Sequence, residues 1–230
     1  MSNYNTISLD AADTLFYIKE GLGNTYNNIL KKYSDNYKSD DISKLFKKYF
    51  NSREGLHFDG LSGQELYTAE KSWWHSVVYD IFTDLGMFDQ FDDYFEDLYN
   101  HFSFDAWEIY NDTIPFLKEL KKRKLKIIIS SNFDSRIFKV CDGFGITEYI
   151  DYFTISSESG FSKPSPEFFY KSLENSNSVI NETVHIGDNY ELDYIAANKI
   201  GMTAFLIDRD SNKKEEYIVN SLMDVINKVC

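Results

Sequence analysis

The spacing of apolar residues changes twice along the chain. Near its start, Thr6-Ile7-Ser8-Leu9 has the short alternating pattern of a β-strand. After Phe16 this pattern stops for about ninety residues, and apolar residues recur every three or four positions, which indicates helices. The predicted helices are Leu22–Lys32, Asp40–Asn51, Gly63–Leu85 and Phe88–Asn100. Their many aromatic residues are expected to form a packing face.

From Asp105 onward, short apolar runs rich in β-branched residues alternate with helical segments. The runs are Lys126–Ser130, Tyr152–Ser156, Val184–Ile186 and Thr203–Ile207. The helical segments are Ile114–Lys124, Ser135–Phe144, Pro166–Glu174, Asn189–Ile200 and Tyr217–Lys228. Such alternation is typical of a parallel sheet covered by helices on both faces. We therefore predict an α/β core, residues 1–16 and 105–230, with an all-helical domain, residues 17–104, inserted after the first strand.

Composition narrows the class of protein. With 230 residues, 43% of them hydrophobic and 17% aromatic, the chain is expected to be globular. A net charge of −13 argues against a nucleic-acid partner, which needs a basic surface. Only two cysteines, Cys141 and Cys230, suit a reducing compartment. Neither a signal-peptide pattern nor a membrane-spanning apolar run is visible, so we expect a cytoplasmic protein without a membrane partner.

Polar residues follow the predicted strands at their carboxyl ends. The first strand ends at Asp10 and the second at Ser131-Asn132. Lys163 follows the third strand, and Asp188 and Asp193 follow the fourth. In a doubly wound sheet these ends converge on one crevice. The sequence therefore predicts one site that holds three carboxylates, a lysine and a hydroxyl-amide pair.

These residue types point to phosphoryl chemistry. Clustered carboxylates repel one another unless a divalent cation lies among them, and oxygen ligands favour Mg²⁺. A metal and a lysine together can neutralise a phosphate dianion, so that Asp10 can attack it and form an aspartyl-phosphate. Ser131 and Asn132 are expected to bind the substrate, and Lys163 to stabilise the charge of the transferred group. Asp188 is expected to bind the metal, with Asp193 as a ligand or its support.

The same residues resemble the four motifs of the haloacid dehalogenase-like (HAD) hydrolase superfamily, in the form with a helical C1-type cap. The matching segments are Asp10 to Thr14, Ser131-Asn132, Lys163-Pro164 and Gly187-Asp188 through Asp193. The resemblance implies a Rossmann-like core, Mg²⁺ as cofactor and, usually, phosphatase activity on a small phosphorylated compound. It also implies that the backbone carbonyl of Ala12 joins the metal ligands.

Ala12 is a departure from the pattern of the family's phosphatases. With Thr14 setting the register, Ala12 stands where they carry a second aspartate that protonates the leaving alcohol and then activates water. Loss of a general acid–base typically costs about 10² to 10⁴ in rate. Asp13 is adjacent; neighbouring side chains on an extended chain point to opposite sides, which disfavours Asp13 as a substitute, but the turn leaves its direction open.

Several functions are compatible with alanine at this position. We favour a Mg²⁺-dependent phosphatase that is weak or selective for its leaving group. The alternatives are a HAD-fold binding protein without catalysis, and a phosphonate-cleaving enzyme, whose relatives carry alanine here but use a cap lysine as a Schiff base. The available lysines are Lys31, Lys32, Lys44, Lys47, Lys48 and Lys71. Dehalogenation is disfavoured because the metal carboxylates are kept. The substrate and any protein partner are left open.

Overall fold

The computed structural model describes residues 4–34, 36–212 and 215–229. Across these residues the chain forms six strands of one parallel sheet and a separate two-stranded antiparallel ribbon. In chain order the strands are β1 (Thr6–Leu9), β2 (Phe16–Ile18), β3 (Trp107–Ile109), β4 (Lys126–Ser131), β5 (Tyr152–Ile155), β6 (Thr183–Gly187), β7 (Thr203–Ile207) and β8 (Ile218–Val219). The sheet order is β5-β4-β1-β6-β7-β8, and β2 pairs with β3.

Helices separate these strands. In chain order they are α1 (Leu22–Leu30), α2 (Ser39–Asn51), α3 (Gly63–Leu85), α4 (Phe91–His101), α5 (Thr113–Lys122), α6 (Arg136–Gly143), α7 (Ser156–Ser159), α8 (Pro166–Ser176), α9 (Ala196–Lys199) and α10 (Leu222–Val229). A π-helical segment, Tyr190–Ile195, leads directly into α9. None of the described helices combines the length and apolarity needed to cross a bilayer.

The first strand lies at the centre of the sheet. Ile7 of β1 is paired with Ile127 of β4 on one side and with Val184 of β6 on the other, and all three side chains are fully buried. Runs of this kind, apolar on both faces, are what a parallel sheet covered by helices requires. Because β1 is central, Asp10 at its carboxyl end is placed in the middle of the crevice edge.

The helical insertion, α1 to α4, lies between β2 and β3 and has its own hydrophobic cluster. Tyr94 and Phe82 are fully buried there, and their rings meet edge to face with centroids 5.2 Å apart. Aromatic residues of the insertion therefore form a packing face, as the sequence predicts. The inserted helices and the Rossmann-like sheet confirm the predicted fold class.

Four local predictions need correction. The strand pattern does not stop at Phe16, because β2 pairs with β3 and forms a ribbon at the base of the insertion; the boundary predicted between residues 16 and 17 falls within β2. The helix predicted from Phe88 begins at Phe91. The segment predicted as a helix from Asn189 begins with π-helical geometry. The segment from Tyr217 first adds β8 to the sheet and becomes helical at Leu222, because pairing with β7 outweighs the local apolar spacing.

Of the two cysteines, Cys141 lies among the described residues. Cys141 is a free thiol on α6 and is fully buried. Burial raises the pKa of this thiol to about 12, which makes it unreactive at neutral pH. Cys230 lies outside the described residues.

Candidate active site

Asp10 stands at the point where β1 ends. Its backbone N–H donates to the carbonyl of Ile186 at 2.9 Å, so the chain stays paired with β6 up to this residue. A tight turn follows, in which the N–H of Leu15 donates to the carbonyl of Ala11 at 2.7 Å. The carboxyl group of Asp10 is thereby held at the edge of the sheet, with the residue only 7% exposed.

Lys163 and Ser131 both donate to the same oxygen of Asp10. Lys163 Nζ lies 2.6 Å from Asp10 Oδ1, and Ser131 Oγ lies 2.9 Å from it. Lys163 Nζ also donates to Asp193 Oδ1 at 2.5 Å. Burial works against the charge of the lysine, but the two carboxylates outweigh it and raise its pKa above the ordinary value. The site therefore contains a permanent cation next to Asp10.

Asn132 holds Lys163 in position. Its amide nitrogen donates to the backbone carbonyl of Lys163 at 2.9 Å, and its amide oxygen accepts from the Lys163 N–H at 2.7 Å. Both ends of the Asn132 amide are thus used on the backbone of the lysine, and the peptide bond that follows, Lys163–Pro164, is cis. Asn132 also lines the cavity described below, and its predicted contact with substrate stays a prediction.

Three carboxylates meet at this site. Oxygens of Asp10, Asp188 and Asp193 lie within 4.8 Å of one another. Burial, together with the charges of Asp10 and Asp193, raises the pKa of Asp188 to about 8. Burial also opposes the charge of Asp193, but Lys163 and His185 outweigh it and lower its pKa. These three carboxyl groups form an all-oxygen set that fits a divalent cation such as Mg²⁺.

Gly187 allows the carboxylates to come this close. A Cβ on Gly187 would lie 2.2 Å from Asp193 Cγ, which no side chain could tolerate. Asp193 Oδ2 accepts from the N–H of Asn189 at 3.0 Å, so the loop that carries Asp188 folds back onto Asp193. The glycine at the end of β6 is therefore part of the geometry of the site.

His185 is a site residue that the sequence reasoning missed. Its Nε2 lies 3.0 Å from Asp193 Oδ1, and its Nδ1 lies 2.9 Å from Ser8 Oγ. Because Asp193 is ionised and can only accept, Nε2 carries the proton. In the sequence His185 lies inside the apolar run Val184–Ile186, but Ser8 stands opposite it in the β1–β6 register. Two polar residues at paired positions of buried strands are a signal that could have revealed it.

Asp13 departs from the expectation for an extended chain. It adopts a left-handed backbone conformation, φ 57°, and its N–H donates to the carbonyl of Phe16. The turn places Asp13 beside Ala12 on the wall of the same cavity. Burial and the charge of Asp10 raise the pKa of its carboxyl group. The alternation of side chains along an extended strand does not apply inside this turn, and the question of whether Asp13 replaces the missing aspartate stays open.

A cavity of about 970 Å³ opens between this site and the helical insertion. Ala12, Asn132 and Lys163 line it on the side of the sheet. On the side of the insertion its wall is mainly aromatic and includes Phe46, Phe50, Trp73, Trp74 and Tyr99. None of the six insertion lysines named above is among the described residues that line it.

Direct contacts join the insertion to the loop after β4. Trp74 Nε1 donates to Asp134 Oδ2 at 2.5 Å, and Glu70 accepts from the N–H of Ser135 at 3.0 Å.

Arg136 adds a second link between the two parts of the chain. It donates to Asp134 through Nε and Nη2, and its guanidinium lies 4.2 Å from the ring centre of Tyr99. Glu70 and Asp134 are fully buried, so these polar contacts fix the aromatic wall relative to Ser131.

A family model described as haloacid dehalogenase-like hydrolase matches residues 4–201. The chain belongs to this family. Among curated relatives of the HAD chain, haloacid dehalogenase-like hydrolase domain-containing protein 3 of Bos taurus is 27% identical over 204 residues, which are 87% of this chain and 80% of the relative. The resemblance stated from the four motifs is thereby confirmed.

Solved structures agree with the HAD fold. The HAD-hydrolase YfnB from Bacillus subtilis, bound to magnesium, superposes with a TM-score of 0.79 at 14% identity and covers 99% of both chains. A HAD phosphatase from Thermococcus onnurineus superposes with a TM-score of 0.68 at 19% identity and covers 98% of this chain and 97% of its own. At these identities the likeness concerns the fold.

Proposed function

We propose that the chain is a Mg²⁺-dependent phosphatase that transfers the phosphoryl group of a small compound to Asp10 and then to water. The observation that carries this proposal is the position of Lys163, whose ammonium group bonds to both Asp10 and Asp193 while Asp188 lies within the same 4.8 Å cluster. A scaffold without chemistry has no need for a buried cation beside a carboxylate at the end of a central strand.

Each site residue has a role in this proposal. Asp10 is the nucleophile, and Lys163 and Ser131 already donate to it, so a phosphoryl group attached to Asp10 lies within reach of both donors. Lys163 stabilises the negative charge that spreads over the phosphoryl oxygens during transfer. His185 positions Asp193, which in turn orients Lys163. Asn132 contributes by fixing the backbone of Lys163.

Asp10, Asp188, Asp193 and the carbonyl of Ala12 would hold the cation. Bound Mg²⁺ would neutralise part of the charge of the phosphate and so reduce its repulsion from Asp10. The magnesium bound to YfnB and the named activity of the Thermococcus protein are compatible with this role. Residues 17–104 would act as a cap over the site. The small phosphorylated substrate and the cytoplasmic location stay predictions.

The phosphonate-cleaving alternative is less well supported. It needs a lysine of the insertion at the cavity, but Lys48 is paired with Asp84 at 2.8 Å and Lys71 with Glu96 at 2.7 Å, both on the insertion itself. Of the residues described along the cavity, Lys163 supplies the amine, and it is held by two carboxylates. A Schiff base needs a neutral, accessible amine, and neither condition is met.

Hydrolysis of 4-nitrophenyl phosphate tests the proposal. We expect Mg²⁺-dependent turnover by the wild type, its loss in Asp10→Asn, and unchanged turnover in Asp142→Asn, which alters an exposed aspartate on α6. A thermal shift provides a readout independent of turnover, since Mg²⁺ should raise the Tm of the wild type more than that of Asp188→Asn. A Mg²⁺-induced shift without any turnover would instead favour the binding protein.

A further inference from the structure

Three rings of the aromatic wall, those of Phe46, Phe50 and Trp74, are nearly parallel to one another. The rings of Phe46 and Phe50 are 5.3 Å apart at 16°, and that of Phe46 lies 6.4 Å from Trp74 at 15°. Phe50 and Trp74 are 5.9 Å apart at 29°. Flat faces of this kind bind a planar ring by stacking and exclude water from it. They offer no hydrogen bonds to the hydroxyl groups of a sugar or a polyol.

The chemistry at Ala12 restricts the leaving group independently of the wall. Alanine cannot protonate a departing oxygen, which favours a substrate whose leaving group departs as an anion. A phenol ionises at a pKa of about 10, as tyrosine does. An alkyl alcohol is a much weaker acid, comparable with water at about 15.7. The absence of the acid therefore lowers the rate of phosphoryl transfer least for an aryl ester.

We infer that the substrate is an aryl phosphate, a phosphate monoester of a planar phenol-type ring. This inference rests on the proposed function and specifies its substrate class. The ring lies against Phe46, Phe50 and Trp74. The cavity of about 970 Å³ is large enough for a ring system of more than one ring.

The reaction balances without a side-chain acid. An oxygen of the Asp10 carboxylate forms a bond to phosphorus, the bond from phosphorus to the aryl oxygen breaks, and the phenolate leaves with the electron pair. Water then attacks the aspartyl-phosphate and restores the Asp10 carboxylate. Both hydrogens of this water stay with the product, which departs as dihydrogen phosphate.

Four substrates separate recognition of the ring from the acidity of the leaving group. They are 2-naphthyl phosphate, 2-(2-naphthyl)ethyl phosphate, acetyl phosphate and glycerol 3-phosphate. We expect kcat/KM to be highest for 2-naphthyl phosphate, by about tenfold or more. The naphthylethyl ester should have the same KM as 2-naphthyl phosphate and a kcat about 10²-fold lower. Acetyl phosphate should turn over with a higher KM. An equal or higher kcat/KM for glycerol 3-phosphate or acetyl phosphate would overturn the inference while leaving the phosphatase standing.

Binding without turnover separates the two proposals further. All three tryptophans of the chain line the cavity, so their fluorescence reports its occupancy. We expect phenylphosphonate to change this emission with Mg²⁺ present and methylphosphonate to leave it unchanged at the same concentration. If no substrate releases phosphate but phenylphosphonate alone changes the emission, the proposed function fails and the ring site stands. If the two phosphonates act alike, the ring site fails.

Variants of the wall complete the test. Phe50→Ala should raise KM for 2-naphthyl phosphate about tenfold and leave that for acetyl phosphate unchanged. Phe138→Ala is its matched control, because Phe50 and Phe138 are both 39% exposed and Phe138 packs on Phe153 away from the cavity. Equal effects of Phe50→Ala and Phe138→Ala would contradict the assigned contacts.

Discussion

The ammonium group of Lys163 lies 2.6 Å from Oδ1 of Asp10 and joins the end of the central strand to the loop that precedes α8. The same group lies 2.5 Å from Oδ1 of Asp193, and the three side chains are almost completely buried. One cation therefore offsets the charge of two carboxylates that come from different parts of the chain. We expect both the stability of the protein and the proposed phosphoryl transfer to depend on this lysine.

Replacing Lys163 with methionine keeps an unbranched side chain of similar length and removes its charge. Asp10 and Asp193 would then face each other, with Asp188 nearby, in a buried site. Breaking a buried ion pair in this way costs about 3–5 kcal/mol, and we expect Lys163→Met to lower the free energy of unfolding by that amount in Mg²⁺-free buffer. Urea denaturation measures this difference.

Lys171→Met is the control for this substitution. Lys171 bonds to Glu174 at the surface, and the two side chains are 41% and 72% exposed. Exposed pairs contribute little, so we expect a change within about 0.5 kcal/mol. If Lys163→Met is as stable as Lys171→Met, Lys163 does not hold the carboxylates together in solution.

Ala12→Asp tests what the missing acid costs. The substitution places a carboxyl group on the cavity wall where the family's phosphatases carry one. We expect kcat for glycerol 3-phosphate to rise by about 10², because an alkyl leaving group needs a proton, and kcat for 4-nitrophenyl phosphate to rise less. Steady-state kinetics with both substrates measure the difference.

Ala12→Asn is the control for Ala12→Asp, since it adds a side chain of the same size that cannot donate a proton in this way. An equal gain in both variants would show that filling the space beside Asp10, rather than proton transfer, is responsible. A fall in both would mean that the position does not tolerate a larger side chain.

Much of the fold could be predicted from apolar spacing. The bounds of β1 and β7 agree with the prediction, because each is a short run rich in apolar residues. The ribbon β2–β3 could not be found in this way. Its strands have three residues each and lie 88 residues apart in sequence, as Phe16–Ile18 and Trp107–Ile109 show. Such pairing depends on the ends of the insertion meeting in space, which local spacing does not record.

The candidate site could be predicted in part. Asp10, Ser131, Lys163, Asp188 and Asp193 converge because parallel strands end at the same edge of the sheet. The structure places these residues together, but their roles in catalysis stay predictions. For the aromatic residues of the insertion, apolar spacing predicts a packing face only. Phe46 and Phe50 also line the cavity, because α2 buries only part of its aromatic face against the rest of the insertion.

Gly187→Ala tests the close approach of the loop to β6. The new methyl group would lie 2.2 Å from Asp193 Cγ and would push Asp193 away from Lys163. We expect the stabilisation by Mg²⁺, measured as a shift in Tm, to fall clearly below that of the wild type.

Gly145→Ala is the control for Gly187→Ala. Gly145 has φ +65° and open space around it, so it should lower the Tm itself but leave the Mg²⁺-induced shift intact. Equal Mg²⁺-induced shifts in the two variants would contradict the proposed role of Gly187.

Asp112 is expected to make stability depend on pH. Its Oδ2 accepts hydrogen bonds from Arg209, from Ser221 Oγ and from the N–H of Leu222, at 2.9, 2.8 and 2.8 Å. Burial alone would raise its pKa, but these donors outweigh burial and lower it below the ordinary value. A carboxyl group with a lowered folded-state pKa stabilises the protein above its unfolded pKa of about 3.9, and this contribution is lost as pH falls through the folded-state value.

Asp112→Asn should therefore lower the free energy of unfolding most at neutral pH. We expect a loss of about 1–3 kcal/mol at pH 7, because hydrogen bonds to a charged acceptor are replaced by bonds to a neutral one. The difference from the wild type should shrink at a pH of about 3, where the aspartate begins to lose its charge in the unfolded chain first and then in the folded one. Urea denaturation at both pH values measures this, with the exposed Asp142→Asn as the reference. A difference that is absent at pH 7, or that grows as the pH falls, would show that Asp112 is not held as an anion by Arg209 and the start of α10.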